Sequence, residues 1–320
     1  MTSAPPIIMD QTHRRADVLV EPEWVEEHLD DPQLRLIEVD VSATAYDQGH
    51  IPGAALWNVY RDLKDSDYRL LAPVAMEDLL ARTGIEPGST VVCYGYAPAL
   101  AFWLMKLYRH ADVRVLDCSR GAWMDDGRPW TADPPTPTGP TTRYPLAAPD
   151  PRSRADYATV KTAIGRPSTA IVDVRSLAEF QGDRFWPSGA PEPSGRAGHV
   201  PSAIHLPIDN VCDDRGRFRS VDELRQQLAP IATAPVGDVI TYCTIGGRAA
   251  TAWFVLTYLL GHHNVRVYDG SWAEWGHTPA APVTAIACSP GSVIHTRLGG
   301  VGRGVQALLA RVPSGARERD

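Results

Sequence analysis

The chain has 320 residues, of which 44% are hydrophobic and 22% are charged, and its formal net charge is -7. This length is enough for two ordinary domains, since single domains usually contain about 100 to 200 residues. The acidic balance provides no basic surface of the kind that electrostatic binding of nucleic acid requires, so we expect no nucleic-acid partner.

The sequence predicts no membrane partner and no secretion. Residues 1–17 contain no apolar stretch of signal-peptide length. The longest nearly apolar run, residues 249–260, is shorter than the roughly 20 residues that a membrane-spanning helix needs, and it suits a buried helix instead. We therefore expect a cytoplasmic protein.

The cysteines are scattered along the chain, at Cys93, Cys118, Cys212, Cys243 and Cys288. Their odd number and their spacing fit neither a disulfide framework nor the paired ligands of a zinc site. Free thiols in a reducing compartment are expected, without a metal site.

The order of short motifs repeats along the chain. Leu36-Ile-Glu-Val-Asp40 returns as Ile171-Val-Asp-Val-Arg175, and Gly49-His-Ile-Pro-Gly-Ala54 returns as Gly198-His-Val-Pro-Ser-Ala203. Further pairs follow in the same order: Val91–Tyr94 with Val239–Tyr242, Val113–Asp117 with Val265–Asp269, and Trp123 with Trp275. A repeat of this length indicates a duplicated domain.

Each copy alternates strand-like and helix-like patterns. The strand-like runs are β-branched and too apolar to alternate, which is typical of buried strands: 34–39, 91–94, 113–116, 170–174, 239–242 and 265–268. Helix-length patterns lie between them, including 220–228, where Ser220 and Glu223 have capping-box spacing, and 249–260, which ends at Gly261. This alternation predicts an α/β fold with a mainly parallel sheet flanked by helices in each domain.

A proline-rich stretch separates the copies. Eight prolines lie from Pro129 to Pro151, a composition that favours extended polyproline conformation. We predict a first domain, a linker, a second domain and a tail of unassigned role, at residues 17–130, 131–152, 153–282 and 283–320.

The segment Val239–Arg248 carries the most informative pattern, since a buried strand ends at Cys243 and a glycine loop leads directly into a helix. The C-terminal edge of a parallel sheet is where α/β proteins commonly bind ligands. Unpaired N–H groups at the helix N-terminus favour an anion and lower the pKa of a thiol. Gly246 and Gly247 permit the tight curl that turns such groups toward the sulfur, and Arg248 adds a cation. A lone cysteine at a strand end is usually a small buried hydrophobe, but this loop favours a reactive thiolate.

With the Gly198–Pro201 element, the Cys243–Arg248 loop and the Val267–Trp275 run, the chain resembles the tandem-domain rhodanese family. The family includes thiosulfate and 3-mercaptopyruvate sulfurtransferases, and the likeness covers about residues 17–280. The resemblance implies two rhodanese-like domains, of which the first has lost its cysteine and the second performs the transfer. The repeat agrees, because it places Gly95 opposite Cys243.

The resemblance also implies a mechanism. The Cys243 thiolate takes the outer sulfur of a small anionic donor, holds it as a persulfide, and passes it to a thiol, cyanide or a protein thiol. The N–H groups of Thr244, Ile245, Gly246 and Gly247 would stabilise this sulfur, without a metal ion or organic cofactor.

Other candidate residues surround this loop. Arg248, and with it Arg196, would bind the negative charge of the donor. Asp173 and Arg175 end a strand nearby and would form a pair that orders the floor of the pocket. His50 and His199 belong to motifs present in both copies, including the copy without a nucleophile, so we expect a structural role for them.

The resemblance favours thiosulfate as donor, because the loop ends in Arg248, and 3-mercaptopyruvate comes next. Thr244 and Ile245 are neutral where thiosulfate-preferring relatives often carry basic residues. Glu179 also lies where some two-domain members present an arginine toward the donor, which argues against tight binding of a small dianion and leaves a protein or specialised thiol partner as an alternative.

Two rival classes remain. Cysteine-dependent phosphatases of related fold have five residues between cysteine and arginine, whereas four, Thr244 to Gly247, separate Cys243 from Arg248 here. A non-enzymatic binding or sulfur-relay module is the other alternative, since rhodanese-like domains without the cysteine serve as interaction domains. The retained Cys243 in an intact loop favours the enzyme.

Overall fold

The computed structural model of the chain describes residues 15, 17–134, 144–232 and 237–285. Within these residues the chain forms two five-stranded sheets. The first contains β1 (Leu19–Val20), β2 (Leu34–Asp40), β3 (Ala55–Asn58), β4 (Thr90–Gly95) and β5 (Val113–Leu116). The second contains β6 (Arg154–Ala155), β7 (Thr169–Asp173), β8 (Ile204–His205), β9 (Asp238–Tyr242) and β10 (Val265–Tyr268).

The two sheets have the same topology. The strand order is β1-β5-β4-β2-β3 in the first sheet and β6-β10-β9-β7-β8 in the second, and all neighbouring strands are parallel. Parallel neighbours need crossover connections, which helices provide. The predicted duplication and the predicted α/β fold with two mainly parallel sheets are confirmed.

Helices connect the strands in both halves. The first half contains α1 (Pro22–Glu27), α2 (Thr44–Gln48), α3 (Val59–Asp62), α4 (Pro73–Arg82), α5 (Pro98–Leu107) and α6 (Arg120–Asp125). The second contains α7 (Tyr157–Ala163), α8 (Leu177–Gln181), α9 (Val221–Gln227), α10 (Ala229–Ala232), α11 (Gly247–Phe254) and α12 (Ser271–His277). Among the residues described, none of the helices has both the length and the apolar character to cross a bilayer.

Both helices that the sequence located are present. Ser220 and Glu223 form a reciprocal capping box at the start of α9, as their spacing predicted. The helix predicted over 249–260 begins two residues earlier, at Gly247, because the glycine before it has φ +98° and turns the chain directly into the helix. Its last part, Val255–Leu259, is a π-helix.

A continuous apolar core joins the two halves. Eight of the ten residues of α5 are buried. This helix packs against α11, where the rings of Phe102 and Phe254 meet edge to face at 4.9 Å. One buried cluster accordingly contains side chains from both sheets. The packing brings the N-terminus of α11, directly after the Cys243 loop, against the first domain.

The domain limits derived from the sequence remain predictions. In the structure, residues just beyond the predicted C-terminal limit of each domain still pair with that domain. Thr131 pairs with His50 in an antiparallel bridge, and Thr284 pairs with His199 in the same way. Each half therefore holds the chain beyond residue 130 or 282. Parts of the predicted linker and tail lie outside the described residues: 135–143 and 286–320.

Candidate active site

Cys243 lies one residue beyond the C-terminal end of β9, the central strand of the second sheet, and is 1% exposed. Its Sγ accepts a hydrogen bond from the backbone N–H of Gly246 at 3.1 Å. The N–H of Cys243 donates to Oγ of Ser271 at 3.2 Å, and its carbonyl accepts from the N–H of Trp272 at 2.9 Å. The start of α12 thus holds the backbone of Cys243, while the loop turns a donor toward its sulfur.

Two glycines shape the loop that follows β9. Gly246 has φ +98°, a conformation that L side chains rarely adopt. A Cβ on Gly246 would lie 3.2 Å from both the carbonyl oxygen of Asp269 and Nζ of Lys64. Gly247 begins α11, where a Cβ would lie 3.4 Å from Cβ of Ala97 in the first domain. The expected curl is present, and it is packed tightly from the side of the first domain.

Arg248 is paired with a carboxylate. Its guanidinium donates to the two carboxylate oxygens of Glu179 at 2.7 and 2.9 Å, and Nη2 also donates to Oγ1 of Thr244 at 2.9 Å. The Thr244 hydroxyl in turn donates to Glu179 at 2.7 Å. Burial would raise the pKa of Glu179, but the hydrogen bonds and charge of Arg248 lower it to about 2, so this carboxylate is ionised at neutral pH. The positive charge that the sequence assigned to donor binding is therefore offset by an adjacent negative charge.

Asp173 and Arg175 form a fully buried ion pair with an N–O distance of 2.6 Å. Tyr242, which directly precedes Cys243, donates its hydroxyl to Asp173 at 2.6 Å and accepts the N–H of Val200 at 3.1 Å. The pair expected from the sequence thus holds the end of β9 through Tyr242.

Two of the predicted binding residues, Ile245 and Arg196, make structural contacts with their side chains. Ile245 is half-buried and packs against the apolar core. The guanidinium of Arg196 donates to four backbone carbonyls at and beyond the end of α12: Trp275, Gly276, Thr278 and Ala281. Among the described residues, no hydrogen bond joins Arg196 to residues 243–248, and its role in donor binding remains a prediction.

The histidines of the repeated motif have matching environments. His199 stacks on Phe180 with 3.8 Å between ring centroids, and its Nδ1 bonds to the Phe180 carbonyl at 2.8 Å. His50 stacks on Tyr46 at 3.8 Å, and its Nδ1 bonds to the Tyr46 carbonyl at 3.0 Å. These contacts are those of structural residues.

The first domain has Gly95 at the position of Cys243. Gly95 ends β4 with φ +103°, and a Cβ there would lie 2.9 Å from the carbonyl oxygen of Val39. The N–H groups of Tyr96 and Ala97 both donate to that same carbonyl, at 2.9 and 3.1 Å. The N–H groups that follow β4 therefore donate to a backbone carbonyl, and the first domain has no thiol at this position.

The other described cysteines have the properties of core residues. Burial raises the pKa of Cys93 far above its ordinary value, that of Cys118 to about 11 and that of Cys212 to about 12. All three are free thiols and are protonated at neutral pH. Cys288 lies outside the described residues. Within the described part of the chain, no three His, Cys, Asp or Glu side chains are grouped so as to hold a metal ion.

The first domain contributes three side chains that the sequence analysis missed. Lys64 follows α3, is 3% exposed, and donates from Nζ to the Asp269 carbonyl at 2.7 Å. Tyr60 and Tyr96 are 45% and 59% exposed. The rest of each side chain is covered, and this partial burial is the main cause that raises the pKa of each tyrosine, while the charge of Cys243 adds to it. No sequence pattern marks these residues, because they reach the site only through domain packing.

A cavity of about 410 Å³ lies between the domains beside α12, but Cys243 is not among its lining residues. Its polar walls come from residues 66–69 of the first domain and from Glu192, Glu274 and His277 of the second. The nucleophile candidate is therefore separate from this space.

The fold and the loop define a class of protein. Residues 21–126 and 156–278 each match the rhodanese-like domain family, and the chain belongs to this family with two such domains in tandem. Relatives match almost over their full length. "Sulfur carrier protein TtuD" of Thermus thermophilus is 38% identical over 276 residues, which are 83% of this chain and 96% of that protein. A Haloferax volcanii protein named "Putative thiosulfate sulfurtransferase" is 40% identical over 285 residues, 86% of this chain and 99% of that protein.

Solved structures agree on the fold. Wild-type EanB matches with a TM-score of 0.76 at 23% sequence identity, over 86% of this chain and 70% of that chain. YnjE matches with a TM-score of 0.71 at 25% identity, over 86% of this chain and 70% of that chain. These likenesses concern the arrangement of the domains and not the reaction.

Proposed function

We propose that the protein is a sulfurtransferase that carries sulfane sulfur as a persulfide on Cys243. The observation that carries this proposal is the Gly246 N–H that donates to Sγ at the head of α11. A helix N-terminus and preorganised N–H donors stabilise a compact anion, which suits a thiolate or a persulfide. The four residues between Cys243 and Arg248 form a loop sized for a sulfur atom.

The transfer proceeds in two halves. The Cys243 thiolate attacks the outer sulfur of the donor, the bond from that sulfur to the rest of the donor breaks, and the remainder leaves with the bonding electron pair. With thiosulfate the leaving group is sulfite. An acceptor nucleophile then attacks the terminal sulfur of the persulfide, and the thiolate of Cys243 leaves, which predicts ping-pong kinetics.

Thiosulfate is the donor that we favour, with 3-mercaptopyruvate next. The relative named "Putative thiosulfate sulfurtransferase" supports thiosulfate. Because Glu179 offsets the charge of Arg248, we expect weak binding of the thiosulfate dianion, that is, a high KM. The acceptor is a thiol, cyanide or a protein thiol, and the reaction runs in the cytoplasm without a metal ion or organic cofactor.

A sulfur-relay protein is the second candidate, favoured by the 38% identical relative named as a sulfur carrier. Such a protein forms the same persulfide but passes it slowly to small acceptors and rapidly to a protein. The two candidates therefore share Cys243 and differ in the acceptor.

Intact-protein mass spectrometry after incubation with thiosulfate or 3-mercaptopyruvate tests the proposal. We expect a gain of about 32 Da, one sulfur atom, that is lost on addition of cyanide. Cys243→Ser should abolish this gain, whereas Cys212→Ser, which alters a buried thiol, should preserve it. A folded wild type that gains no sulfur from either donor would refute the enzyme. An adduct that forms but turns over only with a protein thiol would identify the relay.

A further inference from the structure

Lys64 places a buried positive charge from the first domain beside the loop of Cys243. The side chain is 3% exposed, and its Nζ would lie 3.2 Å from a Cβ on Gly246. Gly246 is also the residue whose N–H donates to Sγ at 3.1 Å. Gly246 thus approaches the ammonium on one side and donates its N–H to the sulfur on the other.

The surroundings of Lys64 leave its charge without a paired carboxylate. The hydrogen bond that holds it is to the backbone carbonyl of Asp269, at 2.7 Å, whereas an ammonium has three donors. The Asp269 carboxylate is held by Arg154 at 2.8 and 3.1 Å and by the N–H of Leu70 at 2.9 Å. Among the described residues, no carboxylate forms an ion pair with Lys64. A buried ammonium is costly to desolvate, and a nearby anion offsets that cost.

The anionic sulfur of Cys243 is the group that fits this requirement. Burial lowers the pKa of Lys64, while the charges of Asp269 and Cys243 oppose that fall. Arg248, the cation of the loop itself, already has Glu179 as its partner at 2.7 Å. The two cations therefore differ. The charge of Arg248 is compensated by a carboxylate of its own domain, whereas the charge of Lys64 has no such carboxylate among the described residues.

We propose that Lys64 is a positioning residue through which the first domain supplies the positive charge for the sulfur of Cys243. The effect of Lys64 on the Cys243 thiolate does not depend on any sulfur donor. Its effect on a Cys243 persulfide rests on the proposed function. The inference gives the domain without a nucleophile a part in the site, because its ammonium lies across the domain interface from the sulfur.

The charge effect has a measurable consequence in the reactivity of Cys243. A nearby opposite charge favours the thiolate, and each unit of pKa corresponds to a tenfold change in the thiolate population below the midpoint. Other charged or titratable groups also surround Lys64 and Cys243, and the variants that test Lys64 leave all of them in place. These groups are Tyr60, Asp65, Tyr96, Arg154, Glu179, Arg248 and Asp269.

The test is the pH profile of iodoacetamide alkylation of Cys243 in the full chain, with Cys243→Ser as the background. We expect Lys64→Met to slow alkylation about tenfold at pH values below the midpoint and to shift the midpoint upward. Lys64→Arg keeps the charge and should stay within about threefold of wild type. Lys106→Met is the control, since Lys106 is a partly buried lysine of the first domain that, like the fully buried Lys64, donates to a backbone carbonyl, that of Ala111 at 2.8 Å.

A folded Lys64→Met protein with the wild-type profile would overturn the proposal and leave Lys64 as a tie between domains. If the methionine variant fails to fold, as measured by thermal unfolding, Lys64→Gln replaces it, because glutamine keeps a donor for the Asp269 carbonyl and removes the charge. The mass measurement on wild type remains separate. A shifted alkylation profile without any persulfide adduct would retain the role of Lys64 and reject the sulfur transfer.

Discussion

Arg248 of the Cys243 loop forms a largely buried ion pair with Glu179, a residue distant from the loop in sequence. Arg248, Glu179 and Thr244 share four hydrogen bonds of 2.7 to 2.9 Å, and Glu179 is fully buried. Removing one member of a buried ion pair leaves the other as an uncompensated charge. This arrangement makes Glu179 a stabilising residue as well as a neighbour of the nucleophile.

Glu179→Gln should make the stability of the protein less dependent on pH. The folded pKa of Glu179, about 2, lies below its ordinary value of 4.5, so its stabilisation is present above pH 4.5 and is lost as the pH falls toward 2. We expect the variant to lose about 3 kcal/mol of unfolding free energy near pH 6 and progressively less at lower pH. Urea unfolding at pH 6, 4 and 3 measures this difference.

Glu27→Gln is the control for this prediction, because Glu27 is exposed on α1. It should change the unfolding free energy by less than about 0.5 kcal/mol at each pH. A difference between wild type and Glu179→Gln that stays constant from pH 6 to pH 3 would contradict the pairing with Arg248.

The loop between β9 and α11 depends on backbone conformation more than on its side chains. Gly246 combines φ +98° with a close approach to Asp269 and Lys64, so that a side chain there is both strained and crowded. The N–H that it directs at Sγ is the donor observed at the sulfur. A change in this one residue therefore affects folding and the anion site together.

Gly246→Ala should lower the unfolding free energy by about 2 to 3 kcal/mol and reduce the persulfide yield, because the loop must shift to admit the Cβ. Gly165→Ala is the matched control, since Gly165 has φ +71° but nothing within 4 Å of its would-be Cβ. It should cost about 1 kcal/mol, from the backbone conformation, and leave the yield unchanged. Urea unfolding and mass spectrometry measure the two effects. Equal losses in both variants would show that the crowding at Gly246 is unimportant.

The two domains are packed together through equivalent contacts. The N–H of Leu70 donates to Asp269 at 2.9 Å, and the N–H of Phe218 donates to Asp117 at 2.8 Å. Each domain thus extends a loop to the acidic residue that follows the last long strand of the other. The shared core between α5 and α11 adds an apolar contact, centred on Phe102. We expect the domains to unfold as one unit.

Phe102→Ala should lower the unfolding free energy by about 3 to 5 kcal/mol, because it opens a cavity in this shared core. Val74→Ala on α4, where the side chain is 55% exposed, should cost less than about 0.5 kcal/mol. Urea unfolding followed by both tryptophan fluorescence and far-ultraviolet circular dichroism measures the loss. Two separate transitions in wild type would argue against a common core.

Local pattern was sufficient to predict the duplication, the parallel sheets, the capping box at Ser220 and the position of Cys243 at a strand end. These features depend on residues close together in the chain, where periodicity, turn chemistry and motif spacing act directly. The start of α11 differed by two residues, because a glycine with positive φ allowed the helix to begin before the apolar pattern.

The partners of charged side chains could not be predicted in the same way. Arg196 makes its hydrogen bonds with carbonyls about 80 residues further along the chain, and Lys64 reaches Asp269 in the other domain. Glu179 meets Arg248 only after α8 and α11 have been placed beside the same sheet edge. Such pairs depend on contacts between distant segments, and charged residues carry no periodic signal that identifies the partner. The sequence therefore determined the nucleophile candidate and its loop, while the packing of two domains decided which charges surround it.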